Sequence, residues 1–152
     1  MDRVIKSELI GVFVYEGISK AYSHKGGDIH WSLDMRDESA DFNEMMKRAE
    51  KLFLCIQEFD ENAKLAITDK LINYKNDFWP EYDENDESLN WDDVDAGKYD
   101  VTKEKFERAI TLLDIVINDN NIYCEYDDGG LFGGHRIHVY FNNKYKLLSA
   151  DI

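Results

Sequence analysis

Apolar residues recur every three or four positions in the middle of the chain, which is the spacing of a helix with one buried face. This pattern predicts a helix over Phe42 to Ile56, with Asp41 as its N-cap. A second helix is predicted from Asp60 to about Tyr74, before an approaching proline makes further helix unfavourable. A short third helix is predicted after Thr102, a good N-cap residue. The centre of the chain is therefore expected to be mainly helical.

Runs rich in β-branched and aromatic residues predict strands on both sides of these helices. Two strands are predicted before the helices, at Glu8–Gly17 and Asp28–Met35, with a glycine-marked turn between them. Four more follow the helices: Leu112–Ile117, Ile122–Tyr126, His135–Phe141 and Tyr145–Ala150. We predict an α+β fold. Its antiparallel sheet is formed by an N-terminal hairpin and a C-terminal β-meander, with two long helices packed on one face.

Composition narrows the possible partners. The 152 residues are expected to form a single domain, 1–152, with an acidic loop at 81–100. The sequence has 32 acidic residues against 18 lysines and arginines, for a formal net charge of -14. Such a charge repels nucleic-acid phosphates and anionic lipid and attracts basic proteins or cations, although solubility alone is an ordinary reason for it. We expect no nucleic-acid or membrane partner and, without the apolar core of a signal peptide, a cytoplasmic location.

The segment from 81 to 100 carries nine acidic residues against one base, Lys98. A calcium loop is excluded because Ser88 and Val94 stand where an EF-hand needs glycine and glutamate. Two interpretations remain. The segment is a solvated loop, or it docks a basic partner with aromatic anchors among its carboxylates. On the second interpretation the partner-binding residues are Asp83, Glu84, Asp86, Glu87, Trp91, Asp92, Asp93, Asp95 and Tyr99.

The most unusual stretch is the glycine-rich segment from Tyr126 to Ile137. Asp-Gly and Gly-Gly pairs are typical of hairpin turns because they accept positive φ, so we expect a structural loop. The residues expected to shape this loop are Asp127, Asp128, Gly129, Gly130, Phe132, Gly134 and His135.

The same loop permits a catalytic interpretation. Glu125 and Asp127 lie on one face of a strand, and with His135 they would form an acid–base set or hold a divalent metal. His135 and His138 point to opposite faces of a strand, which argues against a histidine metal pair. The catalytic candidates are therefore Asp127, Asp128 and His135. We nevertheless favour a protein without enzymatic activity, metal site or cofactor.

The segment Asp127-Asp-Gly-Gly-Leu-Phe-Gly-Gly-His-Arg-Ile137 resembles the Asp-Asp-Gly-x-Leu-Phe-Trp-Gly-His-x-Ile signature of bacterial domain-of-unknown-function family 2262. The resemblance extends back through Asn76 and Trp79 and forward to Ala150. It departs from the pattern at Gly133, where an aromatic residue is usual. The resemblance implies an α+β domain without an established catalytic activity.

The functional hypothesis comes from charge and analogy together. Small acidic immunity proteins are encoded beside bacterial toxins, and by analogy we expect an acidic binding protein of the immunity or antitoxin type. It would neutralise a basic partner protein, such as a toxin, by occluding its surface. The alternative is a hydrolase or metal-dependent enzyme that uses Glu125, Asp127, Asp128 and His135.

Overall fold

In the part of the chain that the structure describes, eight strands form one sheet in which each strand lies beside its neighbour in sequence. The computed structural model describes residues 3–79, 90–95, 97 and 100–152. The strands are β1 (Val4–Ser7), β2 (Gly11–Glu16), β3 (Ala21–His24), β4 (His30–Asp34), β5 (Thr111–Ile117), β6 (Ile122–Asp127), β7 (Ile137–Phe141) and β8 (Leu147–Asp151). The four helices of the described residues lie between β4 and β5, and they are α1 (Phe42–Leu54), α2 (Ile56–Phe78), α3 (Trp91–Asp95) and α4 (Lys103–Ala109). The predicted α+β class is confirmed.

The sheet is mixed, because β4 and β5 run parallel while the other neighbouring strands are antiparallel. A parallel pair needs a long crossover, and the helical segment supplies it. The prediction of an antiparallel sheet is therefore wrong at this pair. The N-terminal part is also larger than the predicted hairpin, since β1 to β4 form a four-stranded meander. β1 has only four residues and β3 reads Ala-Tyr-Ser-His, so neither carries the apolar run that marks a strand.

Two helices make up most of the helical layer, and they follow one another with a break at Cys55. α1 has 13 residues, and Asp41 caps it, as predicted, by accepting a hydrogen bond of 2.9 Å from the Asn43 N–H. α2 has 23 residues and begins at Ile56 rather than at the predicted Asp60. The prediction of two long helices is thus correct for α2, whereas α1 is of ordinary length. No helix among the described residues is long and apolar enough to cross a bilayer.

The core lies between the sheet and the two main helices. Alternate side chains of each strand face the helices. One buried row of these side chains crosses four neighbouring strands and consists of Trp31, Ile115, Cys124 and Val139. Ring contacts join the two layers: Trp31 lies 6.1 Å from Phe53 of α1, and Phe141 lies 5.0 Å from Phe59 of α2. These contacts identify the side of the sheet on which α1 and α2 pack.

Arg48 of α1 holds the turns at one end of the sheet. Its guanidinium donates hydrogen bonds to the main-chain oxygens of Asn118, at 2.5 Å, and Asn121, at 3.2 Å, in the β5–β6 turn. It also donates to the side chain of Asn143 in the β7–β8 turn. The planar fork of five N–H donors allows one arginine to serve both turns. α1 is thereby fixed against two hairpins of the C-terminal meander.

Candidate functional site

The loop between β6 and β7 closes around one buried carboxylate. Asp128 is only 2% exposed. Its Oδ2 accepts hydrogen bonds from the N–H groups of Phe132 and Gly134, both at 2.9 Å, and its Oδ1 accepts one from Gly130 at 3.0 Å. Hydrogen bonds to an ionised acceptor are stronger than neutral ones. This catalytic candidate is therefore engaged with the backbone of its own loop.

Gly129 allows the loop to lie against the end of α4. Its φ is +60°, and a Cβ there would stand 2.2 Å from the main-chain oxygen of Ala109, so any other residue requires the backbone to move. Gly133 has a φ of +68°, and a Cβ there would lie 3.2 Å from Cζ3 of Trp79. This is the position at which the family pattern has an aromatic residue. In this chain Trp79 takes up the adjoining space.

Phe132 anchors the loop to the helices. It is fully buried, and its ring lies 6.1 Å from that of Tyr74, 5.9 Å from that of Trp79 and 6.0 Å from that of Phe106. His135 is exposed and lies edge-on to Trp79, with ring centroids 5.7 Å apart. The loop therefore packs on the end of α2, on the residue that follows α2, and on α4.

The structure divides the predicted catalytic set. Glu125 and Asp127 lie on the side of β6 that faces away from the helices, because the residues between and beside them are in the core. Asp128 instead points into the loop, and the ring of His135 contacts the ring of Trp79. Within the described residues, no group of three His, Cys, Asp or Glu side chains is arranged to hold a metal.

α1 and α2 pack on one side of the sheet, and we call the opposite side the open face. Its side chains alternate along each strand with those of the core. Several apolar side chains remain exposed on it: Val4 (55%), Val12 (47%), Val14 (47%) and Tyr140 (39%). The open face thus carries exposed apolar side chains among polar ones.

One row of ionisable side chains crosses the open face. The strand pairing places His30 beside Asp114, Asp114 beside Glu125, Glu125 beside His138, and His138 beside Asp151. Directly opposed side chains on neighbouring strands have Cβ atoms about 5 Å apart. We call these five residues the ionisable row.

Two of the row's carboxylates lie near a basic side chain. His30 Nδ1 lies 3.3 Å from Asp114 Oδ1, and Arg136 Nε lies 3.9 Å from Glu125 Oε1. The side chain of Asp114 is 31% exposed and that of Glu125 is 26% exposed. Both carboxylates can therefore be reached from solvent.

Tyr123 links the other half of the row. Its hydroxyl lies 2.6 Å from His138 Nδ1 and 3.4 Å from Glu125 Oε2. Burial raises the pKa of the Tyr123 hydroxyl, and the charge of Glu125 adds to the shift, so the phenol stays protonated at neutral pH. A neutral tyrosine thus connects a histidine and a carboxylate by hydrogen bonds.

Sequence reasoning missed His30, Asp114, Tyr123 and His138 as members of one site. The sequence offers no acidic partner for His30 at a recognised spacing, yet Asp114 lies beside it because β4 and β5 pair in parallel. The sequence signal for this site is the set of polar residues that alternate with apolar residues along each strand. That signal shows which residues face away from the core, but strand order and register decide which of them become neighbours.

The predicted partner-binding tract is described only at its end. Asp83, Glu84, Asp86, Glu87 and Tyr99 lie outside the described residues. Trp91 begins α3, which ends at Asp95, and it is 40% exposed. The N–H groups of Asp92 and Asp93 donate to Asn90 Oδ1 at 3.0 and 3.3 Å. The described end of the tract is therefore a short helix with its first turn held by an asparagine side chain.

Fold and site together define an α+β protein with an eight-stranded sheet, its two main helices on one side and a polar open face on the other. Residues 7–152 match the model of a family described as an uncharacterized protein conserved in bacteria (DUF2262), and the chain belongs to this family. The resemblance of the glycine-rich loop to that family is thereby confirmed. No curated protein and no solved structure matched the chain.

Proposed function

We propose that the protein is an acidic binding protein of the immunity or antitoxin type, which acts in the cytoplasm and neutralises a basic partner protein by covering its surface. The observation that carries this proposal is the surplus of carboxylates, with a net charge of -14. A field of one sign raises the association rate of oppositely charged proteins and disfavours partners of the same sign. A basic protein is therefore the class of partner that this surface favours.

Two acidic surfaces are available to such a partner. The first is the end of the acidic tract, where Trp91 is 40% exposed at the start of α3. The second is the open face, where Asp114 and Glu125 are partly exposed on neighbouring strands and Tyr140 is 39% exposed nearby. Aromatic side chains in a polar setting are common at protein interfaces, so both surfaces have a suitable composition.

The enzymatic alternative depends on the loop carboxylates. Asp128 accepts three main-chain hydrogen bonds, and its use as an acid or a base would weaken the anchor of its own loop. Elemental analysis and thermal melting with added divalent ions test this alternative. Bound metal, or a melting temperature that rises with added metal, would support a metal-dependent enzyme.

The binding proposal is tested by capture and titration. The tagged full chain is used to capture partners from a lysate of its bacterial host at low salt, and each captured protein is then purified. We expect a basic protein whose Kd rises about tenfold or more between about 50 and 300 mM NaCl, since salt screens exposed charges. An acidic partner, or a Kd that does not change with salt, contradicts the electrostatic proposal.

Growth measurements test the immunity part separately. The captured protein is expressed in a laboratory bacterium alone and together with this chain. We expect the basic protein to slow growth when it is expressed alone, and co-expression to restore growth. A partner that binds tightly but leaves growth unchanged when expressed alone would support binding and remove the immunity assignment.

A further inference from the structure

We propose that the basic partner binds the open face, with the ionisable row at the centre of the contact, rather than the acidic tract. This inference rests on the proposed function and names its surface. The groups recognised are lysine or arginine side chains of the partner, which lie across β5 to β8 where Asp114, Glu125 and Asp151 stand.

The open face is large enough for a protein partner. Eight strands about 4.8 Å apart, with some five residues of about 3.3 Å each, make a surface of roughly 34 by 17 Å. This is about 600 Å² in plane, close to the roughly 800 Å² that one side of a standard interface buries. The exposed Val14 on β2 and Tyr140 on β7 supply apolar contact area, because the strand pairing places both at one level of the sheet, next to the row.

The charges of the row favour a cationic side chain. Asp114 and Glu125 stand directly opposite each other on β5 and β6, and like charges in this position destabilise a sheet. Their basic neighbours compensate them weakly: His30 is charged only when protonated, and Arg136 Nε is 3.9 Å from Glu125 Oε1 with a side chain that is 49% exposed. An arginine or lysine placed over the two carboxylates would make charge-assisted hydrogen bonds with both.

The same charges argue against other occupants. A second copy of the chain would carry the same net charge of -14, and nucleic acid or an anionic membrane would bring phosphates. Each of these contacts places like charges together, which costs free energy instead of supplying it.

The test removes the same charge from the two competing surfaces. D114N/E125Q neutralises two carboxylates of the open face, and D92N/D93N neutralises two on α3. With the captured basic partner as the probe, we expect the open-face variant to raise Kd about tenfold or more at about 50 mM NaCl. The matched α3 variant should change Kd less than about twofold, as is usual for charges outside an interface.

An uncharged variant checks the location independently. Tyr140→Ala removes an exposed ring beside the row, 5.1 Å from that of Tyr123, without changing the net charge. We expect it to raise Kd about fivefold or more and to leave the salt dependence unchanged, because an aromatic anchor contributes through contact area. Circular dichroism melting of every variant shows that the fold is retained.

The outcomes separate the surface from the function. If the α3 variant loses affinity while the open-face variant binds like the wild type, the open face is not the binding surface, and the proposal of a basic partner is retained. Equal losses of affinity in both charge variants would show that binding follows the total charge of the chain, and would overturn the central role of the row. A host that yields no salt-sensitive basic partner overturns the proposed function, and this inference with it.

Discussion

Asp128→Ala removes the carboxylate on which the β6–β7 loop closes, and we expect it to destabilise the protein by about 3–5 kcal/mol. The side chain accepts three main-chain N–H bonds, of which that of Phe132 is buried and those of Gly130 and Gly134 are partly buried. A buried donor left without a partner costs about 1–3 kcal/mol, and partial access of water reduces this cost. The expected loss is a large part of the roughly 5–15 kcal/mol by which small domains are stable.

Urea unfolding followed by tryptophan fluorescence measures this loss, because Trp79 packs on Phe132 of the same loop. Asp128→Asn is the first control. Its amide keeps one acceptor oxygen but turns an NH2 group towards a backbone donor, so we expect a smaller loss, about 2 kcal/mol. Asp127→Asn is the matched control at an exposed neighbour that accepts a single N–H bond, and we expect a loss below about 1 kcal/mol.

Stability of Asp128→Ala within about 1 kcal/mol of the wild type would refute this reasoning, since three buried or partly buried donors cannot lose their acceptor at so small a cost. The catalytic interpretation of Asp128 would then regain support. Stability that falls equally in Asp127→Asn and Asp128→Ala would also count against it, because the effect would then follow charge and not burial.

The remaining predictions concern the loop, the turns and the row. Gly129→Ala should lower the free energy of unfolding by about 2–4 kcal/mol, because its Cβ would stand 2.2 Å from a backbone oxygen. Gly130 has a φ of +84° and open space around it, so Gly130→Ala should lower the free energy of unfolding by only about 1 kcal/mol in the same urea assay. Arg48→Met should cost about 1–2 kcal/mol and increase amide hydrogen exchange in the β5–β6 turn, since two carbonyls of that turn lose their donor; unchanged exchange would contradict the role of Arg48 in holding the turns. Glu125→Gln should leave the melting temperature unchanged or raise it, because it removes one of two opposed carboxylates, and a fall of several degrees would show that the pair is not repulsive.

Local signals in the sequence predicted the elements whose causes are local. The helix caps at Asp41 and Thr102 form as expected, because an N-cap needs only a side-chain oxygen that accepts a hydrogen bond from the N–H two or three residues later. The β-meander of the C-terminal third is also confirmed, since its strands are joined by short connections that force neighbours in sequence to pair. The boundary between α1 and α2 was predicted a few residues too late, between Ile56 and Asp60. Cys55 is neither glycine nor proline and gives no signal of a break.

The parts that depend on distant pairing could not be predicted in the same way. The parallel contact of β4 with β5 is set by how the helical crossover returns to the sheet, and no residue in either strand specifies it. The ionisable row depends on that contact and on the register of four strand pairs. His30 and Asp114 are each ordinary polar residues of a half-buried strand in the sequence. Only the paired strands bring them within 3.3 Å of each other.

The glycine-rich loop and the ionisable row are parts of one arrangement. β6 turns Cys124 to the core and Glu125 to the open face, and the loop that follows decides at which residue β7 begins. The resulting register places His138 beside Glu125, and a shift by one residue would turn His138 into the core. The hydrogen bonds of Asp128 fix the shape of the loop, and so they also fix this pairing.

The proposed partner contact therefore depends on a residue that does not lie on its surface. A variant of Asp128 that remains folded should lose affinity for the basic partner in proportion to the loss of the Tyr123–His138 contact, which the ring signals of both residues report by nuclear magnetic resonance. Affinity that stays at the wild-type level after this contact is lost would separate the loop from the row. In the proposed contact the loop contributes by placing Glu125 and His138, and the side chains of the sheet make the contact itself.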